Sequence, residues 1–386
     1  MTLLIAEVVI MAVLVVFGLR MGGAMGVGLM SVVGVLIMVF IFKVPPGNIP
    51  VTPVMIILSI GIAGGLLEAS GGIDFLVHFA GKAIQRFPGA ITFVAPLIVF
   101  VFVFGIGTAN IALSLEPVIS RTALRAKVRP ERPLIAAVTT ANMALVCSPA
   151  ASSAVTAVLY MSGRGLTMGK YLAIALPSAL TAMVVLSVFL SFWGKPLDKD
   201  PEYQRRLAGG KINMDDVNVP TAKPKFSRKQ IGAVVAFLFA VACISILGIV
   251  EPAIPALTSP VVGPGGKKTY LASTAVVQIF MYLAAAAILL ITKVTPKKLY
   301  GTQIMPSAIN AAVAVLGPGW LGATIFESAA NARLLKAAIG PAIGRGHWIA
   351  AVLCAVVATF VMSQTAVISI IYPLALGLGV PVGFMA

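Results

Sequence analysis

The polar residues that interrupt this chain's apolar runs are small and uncharged. Gly105, Gly107, Thr108 and Asn110 break one run. Ser148, Ser152 and Ser153, with Pro149, break a second, and Ser363, Gln364 and Thr365 a third. The chemistry that suits them is the binding of an anion. Glycine lets a ligand come close to the backbone, and Thr, Asn and Ser donate hydrogen bonds to a carboxylate. A helix that starts at such a break adds free N–H groups and the positive end of its dipole. We therefore take Gly107, Thr108, Asn110, Ser148, Ser152, Ser153, Ser363, Gln364 and Thr365 as the candidate substrate-binding residues. Two plainer roles stand beside this one. Small polar residues also mediate helix packing, and the serines could satisfy carbonyls freed by Pro149. Glu116, an acid beside Pro117 in an apolar stretch, is a candidate for ion coupling; the alternative places it at an interface next to Arg121.

These breaks must be positioned by membrane helices. Of the 386 residues, 59% are hydrophobic and 10% charged, with a mean hydropathy of +1.04. A soluble domain carries about 25% charged residues, so this chain lacks the polar surface to coat a globule. An all-α polytopic membrane protein follows. The net charge of +16 sits between apolar runs and builds no basic helical face, which argues against a nucleic-acid partner. Cys147, Cys243 and Cys354 lie more than ninety residues apart, which excludes a Cys-x-x-Cys site. With only His78 and His347, no zinc-hydrolase motif and no catalytic pair, neither an enzyme nor a metal or cofactor site is expected. The stretch from Leu3 to Leu19 carries Glu7 and lacks a basic lead-in, so it reads as a span and not as a signal peptide.

Charge-free windows run 21–42, 51–67, 87–115, 133–163, 171–194, 230–250, 269–292, 299–326 and 346–386. A crossing needs roughly 20 helical residues, and the longer windows hold the breaks described above. Residues 71–87 alternate at helical spacing, with Ile73, Leu76, Val77, Ala80 and Ile84 on one face, and predict an interfacial helix. Residues 194–230, with nine Lys/Arg against five Asp/Glu, form an aqueous loop between two halves, 1–193 and 231–386. Each half shows spans, an amphipathic segment (71–87; 328–345) and a hairpin with a polar tip (89–119; 347–376). Such repetition marks secondary transporters. Five crossings in the first half would invert the second. With the N-terminus periplasmic, 20 basic residues fall inside and 8 outside, as the positive-inside rule requires.

Several loop motifs carry a resemblance. Phe17-Gly18-Leu19-Arg20-Met21-Gly22-Gly23, Leu67-Glu68-Ala69-Ser70-Gly71-Gly72-Ile73-Asp74, Arg129-Pro130-Glu131-Arg132-Pro133, Ser148-Pro149 and Gly194-Lys195-Pro196-Leu197-Asp198-Lys199-Asp200 resemble the Dcu family. This is a family of anaerobic four-carbon dicarboxylate transporters. The resemblance implies a carrier of the bacterial inner membrane that exchanges fumarate, malate or aspartate for succinate. It further implies alternating access, a dicarboxylate and membrane lipid as partners, and no cofactor. It also looks like the wider ion-transporter superfamily, whose hairpin tips and broken spans form the substrate site. Some family members regulate gene expression, so a transport-deficient sensor working with a signalling protein is the alternative. Assembly into a homo-oligomer stays open. The family's first tip reads Gly-Thr-Gly-His, where this chain has Gly107-Thr108-Ala109-Asn110.

Thr108 is followed by 85 residues up to Trp193, and Thr365 by 21 up to Ala386. Equivalent repeats would need a further broken span and a closing span, on the order of 60 residues. On that symmetry argument, residues 1–386 alone are expected to insert but not to transport. The topology has its own test. Single cysteines placed within 121–132 or 200–225 should be shielded from impermeant thiol reagents in intact cells, and those within 255–268 should label. External labelling of the 200–225 set would overturn the inversion.

Overall fold

A peptide in hydrocarbon must satisfy its own backbone, so the apolar runs become helices. The computed structural model describes residues 2–162, 165–195, 197–209, 225–250, 261–262, 268–269, 273–326 and 364–377, with positions 328, 330, 331, 333, 334, 337, 380 and 385. Ser363, and most of the segments 328–345 and 347–363, lie outside the described residues. Eight helical stretches among the described residues are long and apolar enough to cross a bilayer. The protein is an all-α multi-pass membrane protein, apart from a two-residue antiparallel ladder pairing Val261 with Thr269 and Val262 with Lys268. Large apolar side chains such as Val13, Phe17, Val185, Phe192, Leu283 and Leu290 point outward, as a lipid-facing belt should.

Helix α1 (Thr2–Phe40) is broken at Gly22 and Gly23, whose backbones are non-helical. A Cβ on Gly18 would strike the Gly26 carbonyl, so the two arms fold back on each other as separate crossings. Helix α2 (Val51–Ala69) follows, then α3 (Gly72–Arg86). Helix α3 is the amphipathic segment expected from the sequence. It buries Leu76, Ala80 and Ile84 and exposes Asp74, Lys82 and Arg86, while His78 lies against Phe226 with ring centroids 5.4 Å apart.

A 3-10 turn at Pro88–Ala90 leads into α4 (Ile91–Ile106), and α5 (Asn110–Arg125) returns from a three-residue tip. Helix α5 packs on α4 and reaches the turn at 88–90 where α4 begins. The pair is therefore a hairpin with both ends on one side. Its return arm runs on to Arg125, past the expected end at 119, so Arg121 and Arg125 ride on helix and not in loop. The broken span is α6 (Glu131–Cys147) plus α7 (Ser152–Ser162), and α8 (Met168–Phe192) closes the first half. The loop after it contains a short helix, α9 (Pro201–Ala208). The second half supplies α10 (Arg228–Val250), α11 (Ser273–Thr292), the short α12 (Pro296–Tyr300), α13 (Ile304–Phe326) and α14 (Gln364–Gly377).

Several charged side chains sit at helix ends, where dipoles favour them. Both oxygens of Glu68 accept 2.9 Å hydrogen bonds from the N–H groups of Gln303 and Ile304, capping α13 from the end of α2. Arg132 donates to the carbonyls of Ser191, Trp193 and Gly194 at the C-terminus of α8. Asp200 caps α9 and pairs with Arg129 at 2.9 Å. Its hydrogen bond from the Tyr203 N–H, helped by the Glu202 N–H and by Arg129, holds its carboxyl below the ordinary carboxylate range. Its capping contribution is thus present above the ordinary carboxylate pKa and fades as pH falls through the lowered value.

Helices α1 and α13 meet backbone to backbone. A Cβ on Gly28 would strike Val313, and one on Gly317 would strike the Gly28 carbonyl. Nearby, the Gly47 N–H donates to Thr324 Oγ1 and Trp320 Nε1 donates to the Gly47 carbonyl, each at 3.1 Å. Helix propensity alone favours Gly317→Ala by about 1 kcal/mol, whereas overpacking costs about 1–3 kcal/mol. We expect Gly317→Ala to lower the melting temperature of the purified protein, with Gly89→Ala, which meets nothing within 4 Å, as an unaffected control. A stabilised Gly317→Ala protein would show that the crossing is not tight.

Candidate functional site

The two breaks of the first half meet. Gly107 ends α4 with φ +76°, a left-handed conformation that side chains with a Cβ seldom adopt. A Cβ there would also strike the carbonyl of Ala150. The hairpin tip thus lies on the interruption between α6 and α7. Ser148, fully buried, donates to the Phe104 carbonyl at 2.6 Å and accepts from the Ala150 N–H at 3.1 Å. Ser153 donates to the Leu145 carbonyl at 2.9 Å. These two serines satisfy carbonyls left free by the breaks.

Ser152 is oriented differently. It lines a cavity of about 140 Å³ together with Gly107 and Thr108 of the tip. The opposite wall comes from α2, through Gly61 and Gly64, and from α13, through Ile304 and Ser307. One water needs roughly 10–15 Å³ of such space, so there is room for a small organic ion. Among the described residues, no charged side chain lines the cavity. Ser152 Oγ also lies 3.0 Å from Thr365 Oγ1, and Gln364 Nε2 donates to the Asn142 carbonyl at 3.0 Å. The Gln364 Oε1 atom is buried and has no hydrogen-bond partner. The first turns of α5 and α7 therefore converge, with Thr365 of α14 against Ser152, and neither contains an acid.

Of the candidate residues, Gly107, Thr108 and Ser152 line the cavity, and Thr365 touches it through Ser152. Asn110 begins α5, half-buried, with its N–H donated to Thr108 Oγ1 at 3.3 Å. Ser148, Ser153 and Gln364 form the surrounding backbone support. Ser363 falls outside the described residues. Glu116 lies half-buried, six residues along α5 from Asn110, and does not line the cavity. Among the described residues, no group of three or more His, Cys, Asp or Glu side chains is placed to hold a metal.

Residues 3–386 match the family described as anaerobic C4-dicarboxylate membrane transporters. The chain belongs to that family. It is a family of membrane transporters and not of enzymes. The chain is 31% identical over 382 residues to the anaerobic C4-dicarboxylate transporter DcuB of Escherichia coli O6:H1, covering 97% of this chain and 83% of that one. It is 30% identical over 379 residues to the C4-dicarboxylate transporter DcuA of Escherichia coli strain K12, covering 98% and 84%. To DcuA of Wolinella succinogenes it is 27% identical over 393 residues, covering 100% and 86%.

Within this transporter framework, sequence reasoning missed the far wall. Gly61, Gly64 and Ser307 were read only as parts of spans. Gly61 and Gly65, four apart on α2, were the available signal, since such spacing marks close approach. It also missed Tyr171, fully buried, whose hydroxyl donates to the Val146 carbonyl at 2.9 Å, and Cys147, whose thiol donates to the Ala175 carbonyl at 3.2 Å. Both cover carbonyls near the break in the span.

Ser148→Ala leaves the Phe104 carbonyl without this donor in a buried setting, a loss of about 1–3 kcal/mol. Ser152→Ala removes a half-buried hydroxyl pair and should cost under about 1.5 kcal/mol. Thermal unfolding in detergent should therefore rank Ser148→Ala as the more destabilised. The reverse order would mean that Ser148 does not hold the two breaks together.

Proposed function

We propose that this protein carries four-carbon dicarboxylates such as fumarate, malate and succinate across the bacterial inner membrane. It does so by exchange and alternating access, with two inverted repeats built around hairpin tips and broken spans. The observation that carries the reading is the convergence of the N-termini of α5 and α7 on a cavity lined, among the described residues, by no charged side chain, with Thr365 of α14 against Ser152. Each helix start is equivalent to about half a positive charge, so together they balance an anion without a buried Arg or Lys. Thr108 and Ser152 supply hydroxyl donors on one wall and Ser307 faces them from the other. A ligand with a carboxylate at each end can use both. The names of the relatives, all C4-dicarboxylate transporters, support the same substrate class.

The carrier would work by moving the tip and broken span against α2 and α13, because the cavity lies on that seam. In this reading Asn110 and Thr365 orient the helix starts that face the ligand. Glu116 remains a candidate for ion coupling from within the moving arm.

The test is exchange of labelled succinate in proteoliposomes. A hydrogen bond to a charged group contributes about 1.5–3 kcal/mol, so Thr108→Ala and Ser152→Ala should each raise the half-saturating succinate concentration roughly ten-fold or more. Folded yield should stay near that of the parent protein. Unchanged affinity in both variants would sink the assignment of the cavity. Failure of a version extended with the closing spans expected above to exchange any four-carbon dicarboxylate would sink the function.

A further inference from the structure

Glu7 belongs to the first arm of α1, five residues or about 7.5 Å along the helix from Thr2. It has no role in the cavity described above, yet its side chain is fully buried, with 0% exposure. Its Oε2 accepts a hydrogen bond from Asn331 Nδ2 at 2.6 Å, and the same amide donates to the Ile325 carbonyl at 3.0 Å. Oε1 is buried with no hydrogen-bond partner. The neighbours are apolar: Leu4, Val35, Met38, Leu321 and Ile325 form the local cluster.

No cation faces this carboxyl from the described part of the elements packed around it. The second arm of α1 (24–40) and all of α13 contain no titratable side chain. Lys43, beyond that arm, and Arg333, two residues past Asn331, are both exposed. Glu327 and Lys336 lie outside the described residues. The ion pairs among the described residues all belong to Arg129 and Arg206. An ionised carboxylate buried with one bare oxygen and, among the described residues, no counter-charge is far costlier than the neutral acid. An acid placed this way in a membrane protein marks an ion or proton site by default.

We propose that Glu7 is a proton-binding site separate from the substrate cavity. The proton comes from water at the membrane face near the N-terminus and converts the carboxylate to the neutral acid, with no electron transfer. Asn331 donates to the acid's carbonyl oxygen and holds the neutral acid in place, whichever solute the cavity carries.

Infrared spectra of the purified full chain in phosphatidylcholine vesicles at neutral pH test this without any substrate. The wild-type minus Glu7→Gln difference should contain the carbonyl band of a protonated carboxylic acid. In Asn331→Leu the band should persist but move to higher frequency, because the carbonyl has lost its donor. A carboxylate band in place of the acid band overturns the proposal, and so does an acid band that Asn331→Leu leaves unmoved. Should Glu7→Gln not fold, Glu7→Asp replaces it. A shifted acid band in that variant supports the assignment, and a carboxylate band overturns it.

Discussion

Two interruptions in apolar helices can exist at membrane depth here because each covers the other's backbone. The tip at Gly107 rests on Ala150, and Ser148 reaches back to the Phe104 carbonyl. Tyr171 and Cys147 cover further carbonyls from the adjoining α8 interface. In hydrocarbon each unsatisfied backbone group costs several kcal/mol, so neither break is tenable alone. Their mutual cover aims the new helix starts at α5 and α7 toward one place. The cavity is a consequence of that pairing.

The same economy governs charge. Acidic side chains meet several other helix starts: Glu68 at α13, whose Ile304 borders the cavity from the far wall, and, away from it, Asp200 at α9, Asp74 in the first turn of α3 and Glu131 in that of α6. The starts of α5 and α7 hold no such acid. Their positive ends stay available, softened only by neutral hydroxyls. An anion site made this way needs no buried cation and hence no large desolvation penalty between visits of the ligand. Glu68 ties this arrangement to the opposite wall, since it fixes the end of α2 to the first turn of α13.

Small residues set the geometry of that wall. Gly28 and Gly317 let α1 and α13 touch through their backbones, and Gly61 lets α2 approach Ala308. Without a hydrophobic driving force between helices in lipid, such close contact and interhelical hydrogen bonds provide the cohesion. The outward faces carry many large apolar side chains, which lipid accepts.

Much of the fold was legible in the chain itself. Apolar length marked the spans, Gly, Pro and Ser within them marked the breaks, and a 3.6-residue period marked α3, because local propensity and partition into lipid decide these features. The fold-back of α1 and the hairpin tip follow from glycine placed where a helix must stop. The orientation of the three serines did not follow. Ser148 and Ser153 turn toward carbonyls and Ser152 toward the cavity, a matter of how one broken turn sits against another helix. Nor did the pairing of Glu68 with Gln303 and Ile304, of Glu7 with Asn331, or of Ser152 with Thr365. These partners lie more than 200 residues apart, and no local pattern encodes which distant helix start a side chain will find. Sequence determined that this chain is a bundle of interrupted membrane helices with uncharged polar breaks. Only tertiary packing decided that the first two breaks share one cavity and that Thr365 meets Ser152 beside it, because these contacts depend on neighbours brought together from both halves.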